Sequence, residues 1–237
     1  MRMQHEFRKY LRSYAEWGFR PPRVQIERGL QRLGSEYGGY FVDTSLIGRG
    51  ATVYSVGVGE DISFDLSLIE NIGVEVQAFD PTPRVKEWIA LQSLPGQFHF
   101  HGRGIADFDG EAALYPPPRE DWVSHSMIPP RHYRCQPTRV AMVRLGTAMR
   151  PQGHKRIDVL KMDIEGAEYA VIEDLVRERI PVRQLLVEFH HRFFPGGREK
   201  TRRTLALLDA YGMKIAHVCP RMEVFTLVQA PREAWQA

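Results

Sequence analysis

From Thr52 to His191 the chain alternates short β-branched or apolar runs with helical stretches, and that rhythm restricts it to a largely parallel sheet flanked by helices. TVYSVGVG reads as a first strand ending in glycines. DISFDLSLIENIG follows as a helix, with Asp61 near its N-cap and Gly73 at its C′ position. VEVQAFD, a proline-opened helix in PTPRVKEWIALQSL, and FHFHG repeat the pattern. Order resumes at RIDVLKMD, a buried-type strand, then the helix EGAEYAVIEDLVRER, the buried strand QLLVEFHH, and a helix ending at Gly212. MKIAHV and MEVFTLV flank Cys219-Pro220-Arg221, a connection short enough for a hairpin. The expectation is a parallel α/β sheet closed by an antiparallel hairpin.

Two segments stand outside this rhythm. Residues 1–50 read as a helical extension packed on the core. Phe7, Tyr10, Leu11, Tyr14 and Trp17 fall at three-and-four spacing before Pro21-Pro22 stops the helix. Residues 51–237 form the main domain, interrupted at about 115–137 by a proline-rich insertion that reads either as a cover over a site or as a tolerated surface excursion.

Of the 237 residues 43% are hydrophobic and 26% charged, the composition of a globular chain. Lys and Arg number 32 against 29 acids, a net +3 with no basic block, so no nucleic-acid partner is expected. Two cysteines, Cys135 and Cys219, exclude a disulfide scaffold and an all-thiolate zinc site. No apolar run approaches the roughly 18 residues of a membrane span, and the first residues lack an apolar signal core, so the cytoplasm is the expected compartment.

The first candidate site is the turn Ser55-Val56-Gly57-Val58-Gly59-Glu60-Asp61. Glycines there allow a sharp turn and close approach of a ligand to the main chain. Asp80 ends the next strand about twenty residues on, the placement that holds a ribose through its hydroxyls. A dinucleotide fingerprint would put a third glycine at Ile62, and Glu60 and Asp61 oppose a pyrophosphate at the helix start. The same acids suit a cationic, phosphate-free cofactor such as S-adenosylmethionine. Asp107, after the third strand, reads either as an adenine contact or as a turn residue in DFDG.

The second candidate site is Lys161-Met162-Asp163-Ile164-Glu165-Gly166-Ala167-Glu168 with the facing Glu188-Phe189-His190-His191. A strand buried on both faces rarely carries Lys161 and Asp163 unless they are paired or functional. Glu165 and Glu168 share a face at the helix start, with N-terminal capping as the simpler role for Glu168. If the two strands are neighbours, Asp163, Glu188 and His190 converge at one sheet edge. That cluster offers a general base and substrate positioning, a structural hydrogen-bonded cluster, or a divalent-cation site, in that order of preference.

On VYSVGVGEDISFD, VQAFDPTP, GIADFDGEAALY, VLKMDIEGAEYAVIEDL and LLVEFHH, from about Val53 to His191, the chain resembles the FkbM-type methyltransferases. The resemblance implies a class I methyltransferase (Rossmann-like) fold, a seven-stranded sheet of order 3-2-1-4-5-7-6 with the last strand antiparallel and helices on both faces. It implies S-adenosylmethionine as cofactor and methyl transfer, usually to an oxygen of a small molecule, sugar or natural product. Gly57 and Gly59 would border the methionine part of the cofactor, Asp80 its ribose and Asp107 its adenine, with Ser55 and Glu60 in the same turn. Asp163 and Glu165 would lie near the transferred methyl, alongside Lys161, Glu188 and His190 as catalytic candidates. This chain has Ser55 where many members place an acid, and Gly59-Glu60-Asp61 in place of Asn-x-Gly, the mark of a divergent branch. The rival readings are a non-catalytic binding protein that keeps the fold, and an NAD-dependent oxidoreductase.

Overall fold

The computed structural model describes Ala15, Trp17, and residues 21–119 and 121–230. The amphipathic stretch from Phe7 therefore lies outside the described residues, apart from Ala15 and Trp17. Trp17 is fully buried, edge-on to the His191 ring at 5.8 Å and beneath the Arg202 guanidinium.

A short ribbon of β1 (Gln31–Leu33) and β2 (Tyr40–Val42) precedes the main domain. β3 (Thr52–Val56), α1 (Ser63–Ile72), β4 (Glu75–Phe79), α2 (Pro83–Ala90) and β5 (Phe98–His101) make the first half. A second small sheet follows from β6 (Gly104–Ala106), β7 (Gly110–Leu114) and β8 (Thr138–Arg144). After α3 (Leu145–Met149) come β9 (Ile157–Met162), α4 (Glu168–Arg177), β10 (Val182–Glu188), α5 (Gly197–Ala210), β11 (Met213–Val218) and β12 (Val224–Gln229).

The seven-stranded sheet has the order β11-β12-β10-β9-β3-β4-β5. All its strands are parallel except β12, which pairs antiparallel with both β10 and β11. Counted along the sheet this is 3-2-1-4-5-7-6, the class I methyltransferase arrangement. Local chemistry sets the boundaries. The Asp61 carboxylate accepts the Ser63 N–H at 2.9 Å to start α1, and Gly73 ends it at φ 75°. Pro83 occupies the first turn of α2, where no backbone donor is needed.

Period-two alternation divides the sheet's side chains between two cores. Val53, Val76, Val159 and Leu186 pack with Phe64, Leu68 and Val85 on one side. Tyr54, Leu160, Leu185 and Val187 pack with Tyr169, Ile172 and Leu208 on the other. Among the described residues no helix is long and apolar enough to cross a membrane.

Two features outside the alternating rhythm shape the carboxyl edge of the sheet. The β1–β2 ribbon is fastened by the Gln184 side chain, which accepts the Asp43 N–H and donates to the Asp43 carbonyl, and by Thr226 Oγ1 donating to Phe41 O at 2.6 Å. This brings Tyr40 over the edge. The insertion leaves β7 through a Tyr115–Ser126 bridge and returns along β8. On the way Ser126 Oγ donates to Glu165 O at 2.6 Å.

Candidate functional site

A cavity of about 680 Å³ opens at the carboxyl ends of β3, β4, β9 and β10. Its walls come from the turns after those strands, from residues 36–40, and from Asp121–Met127 of the insertion. This is where ligands bind in open α/β sheets.

The glycine turn forms one wall. Gly57 sits at φ 76°, and a Cβ there would overlap the Asp163 carbonyl oxygen, so only glycine fits. Gly59, at φ 57°, donates its N–H to Asp80 Oδ2 at 3.1 Å. The other Asp80 oxygen accepts from Thr82 N at 2.9 Å, which holds the buried carboxylate at the strand end. Glu60 lines the cavity but is gripped by Arg84, whose Nε and Nη2 donate to it at 2.5 and 2.9 Å. Asp61 is tied to Ser35 and Ser63; burial opposes its ionisation, but those hydrogen bonds outweigh it and lower its pKa.

Two of the residues named from sequence lie off the cavity wall. Ser55 is fully buried beneath the turn, beside Asp65 and in register with Lys161. Asp107 is exposed and not among the lining residues; Gly104 and Ile105 line the cavity there.

The opposite wall is the acid cluster. The register of β9 with β10 pairs Met162 with Val187, so Asp163 and Glu188 emerge side by side. Lys161, only 6% exposed, donates to Gly57 O at 2.5 Å and lies over the Tyr40 ring at 5.6 Å. Tyr40 donates its hydroxyl to Asp163 Oδ2 at 3.3 Å. Glu165 sits at φ 51°, a strained position for a residue with a Cβ, followed by Gly166 at φ 105°.

Glu168 holds this turn. Fully buried, it accepts the N–H groups of Ile164 and Gly166 at 3.2 and 3.0 Å and contacts His190 Nδ1 at 2.7 Å. The other His190 nitrogen, Nε2, is 3.2 Å from Glu165 Oε2 and 3.7 Å from Asp163 Oδ1. Burial alone would lower the His190 pKa, but Glu168, Glu165 and Asp163 together raise it to about 9. The imidazole is therefore a cation at neutral pH and does not accept a further proton. Burial, reinforced by Asp163, raises Glu188 to about 7, and burial also raises Glu165. Among the described residues the Glu188 carboxylate makes no hydrogen bond or ion pair, although it lines the cavity.

Sequence reasoning missed three contributors. Tyr37 and Tyr40 reach the cavity from the ribbon loop, where the EYGGY run was the available signal. Glu168 was read as a helix cap; its partner His190 is 22 positions away, beyond any local pattern.

The protein described as probable methyltransferase-like protein 24 of Homo sapiens is 30% identical over 141 residues, covering 58% of this chain and 32% of that protein. Its Rattus norvegicus counterpart is 33% identical over 141 residues, with the same shares. The chain thus spans about a third of the length of these relatives. Among solved structures, a Methanococcus jannaschii fibrillarin pre-rRNA processing protein is 13% identical with a TM-score of 0.44, covering 88% of this chain and 84% of that one. An Aeropyrum pernix fibrillarin with natively bound S-adenosyl-L-methionine is 10% identical with a TM-score of 0.43, covering 87% and 83%. Residues 45–215 match the family described as the Methyltransferase FkbM domain. That match spans both the glycine turn and the acid cluster, and the chain belongs to the FkbM methyltransferase family.

Proposed function

We propose that this chain transfers the methyl group of S-adenosylmethionine to a hydroxyl oxygen of a small-molecule or sugar acceptor. The observation that carries the reading is one cavity in which a glycine turn joined to Asp80 faces the acids at the ends of β9 and β10. The donor set fits that cofactor. Asp61, Asp80, Asp163, Glu165 and Glu188 make an acidic lining, which repels a pyrophosphate and suits a ligand with a sulfonium and an ammonium group. Gly57 and Gly59 would border the methionine part and Asp80 would accept from the ribose. The adenine would rest on Gly104 and Ile105, with Asp107 outside the contact.

When bound, the cofactor supplies an electrophilic methyl group. The protein's own contribution is alignment of the acceptor and removal of its proton. Glu188 is the proton acceptor in this reading, because its carboxylate lines the cavity and makes no hydrogen bond or ion pair among the described residues. Asp163, oriented by Tyr40, faces the acceptor beside it. The order Asp163-Ile164-Glu165-Gly166 at the strand end favours oxygen over nitrogen, since nitrogen acceptors in related folds meet an Asn or Asp followed by two prolines and an aromatic residue.

Thermal unfolding with S-adenosylhomocysteine, S-adenosylmethionine and NAD in parallel tests the cofactor. A ligand at about one hundred times its dissociation constant adds roughly 2.7 kcal/mol of stability. A shift with the two sulfur compounds alone is expected. A shift with NAD alone would overturn the reading, and no shift from any of the three would favour a binding protein that keeps the fold without the chemistry.

A further inference from the structure

The acid cluster contains two oxygen donors from the turn after β9 and a nitrogen donor from the end of β10, poised around one point. Ligand atoms of Asp163, Glu165 and His190 all lie within 4.8 Å of one another. His190 Nε2 stands 3.2 Å from Glu165 Oε2 and 3.7 Å from Asp163 Oδ1. Adjacent donors in an octahedral shell with bonds of about 2.1 Å are about 3 Å apart, so small side-chain adjustments suffice.

The surroundings add a second, independent observation. His190 is 1% exposed, and its remote nitrogen Nδ1 meets the buried Glu168 carboxylate at 2.7 Å. A carboxylate behind a histidine is the arrangement that fixes the ring's tautomer and orientation and aims its other nitrogen at a metal. Each acid ligand is braced as well, Asp163 by the Tyr40 hydroxyl and Glu165 by Ser126 Oγ on its carbonyl. The charge count points the same way. Asp163, Glu165, Glu168 and Glu188 surround one imidazole, while the nearby Lys161 ammonium is turned to the Gly57 carbonyl and the Arg192 guanidinium is paired with Glu223. Asp163 and Glu165 remain partly open to the cavity, with side chains 31% and 16% exposed.

We propose that Asp163, Glu165 and His190 bind one divalent cation, which takes the place of the proton that His190 Nε2 otherwise holds between the two carboxylates, with Glu168 as the positioning residue behind His190. One imidazole and two carboxylates suit an ion of intermediate hardness, of which Mn²⁺ is representative. The open positions of its shell face the cavity, where they would hold an acceptor hydroxyl. That last role rests on the methyl-transfer reading; cation binding itself does not.

The test uses the full chain treated with a chelator, exchanged into chelator-free buffer and titrated with MnCl2. Electron paramagnetic resonance counts free Mn²⁺, and the melting temperature is followed in parallel. The expected result is one saturable Mn²⁺ per chain with a rise in melting temperature. Glu165→Gln and His190→Ala each weaken binding at least tenfold, and Glu168→Gln weakens it by about 10- to 100-fold. Asp80→Asn keeps full Mn²⁺ binding while losing its melting shift with S-adenosylhomocysteine, so failure of the cofactor reading and failure of the cation site are told apart. Absence of saturable binding to the wild-type chain at millimolar Mn²⁺ would overturn the proposal. Binding undiminished in both Glu165→Gln and His190→Ala would overturn it equally.

Discussion

Replacing Glu168 by alanine removes the group that shapes the turn between β9 and α4. The residue is fully buried, accepts two backbone N–H groups and contacts His190 Nδ1 at 2.7 Å. Loss of one member of a buried charged pair costs about 3–5 kcal/mol, because the remaining charge is left unpaired. Water from the cavity can reach the Ile164 side of the turn, which is only half-buried, so the lower part of that range applies. At about 3 kcal/mol, and with 2–4 °C per kcal/mol for a chain of this size, the melting temperature should fall by about 9 °C. Glu168→Gln keeps an acceptor for the backbone N–H groups and loses only the charge, so it should fall by about half as much. Glu173→Ala, exposed on the same helix, should stay within about 0.5 kcal/mol of wild type. Urea unfolding of the three variants at one pH measures the free energies, and thermal melts at the same pH measure the temperatures. A Glu168→Ala variant within about 1 kcal/mol of wild type would refute the claim that this carboxylate holds the turn.

Three further outcomes follow from other parts of the site. Asp80→Ala should abolish most of the melting shift with S-adenosylhomocysteine, since the ribose acceptor and the Gly59 and Thr82 N–H partners vanish together; an unchanged shift would remove Asp80 from cofactor binding. Glu188→Gln should lower turnover at least a hundredfold with that shift intact, and an unaltered rate would remove Glu188 as the base. Asp65, beneath the glycine turn, is raised by burial from 3.8 to about 6 despite the attraction of Lys161. Its neutral form is thus the one the fold prefers, and the stability this confers is complete only below the unfolded value of 3.8 and is lost as pH rises through about 6. Between pH 4 and pH 7.5 the wild type should therefore lose about 2 kcal/mol relative to Asp65→Asn, measured by urea unfolding of both; an equal gap at the two pH values would count against it.

The elements that a local pattern encodes were legible. The inner strands of the large sheet, β3, β4, β9, β10 and β12, are runs that bury both faces, and α1 carries its own punctuation in Asp61 and Gly73. The residues that meet across the sheet edge were legible only through strand adjacency: Asp163 and Glu188 converge because β9 and β10 are neighbours. Three-residue strands were not. β1, β2 and β6 are too short for a period to show, and β6 finds its partner β8 only across the whole insertion. The proton on His190 was illegible for a different reason. It depends on three carboxylates brought within hydrogen-bond or ion-pair distance by the fold, and an isolated histidine at a strand end reads as a base.

The two walls of the cavity are one mechanical unit. Lys161 of β9 bonds the carbonyl of Gly57, and the Asp163 carbonyl lies where a side chain on Gly57 would go. Asp163 N also donates to Val56 O at 2.9 Å, which continues the β3–β9 ladder into the site. The glycine turn, which in the proposed function would meet the cofactor, therefore cannot shift without moving Asp163, which would face the acceptor. Methyl transfer demands that the sulfonium carbon and the acceptor oxygen be aligned to within fractions of an ångström. A buried lysine bound to a main-chain carbonyl is costly in a sheet interior, and this cross-link gives a physical reason for its presence there.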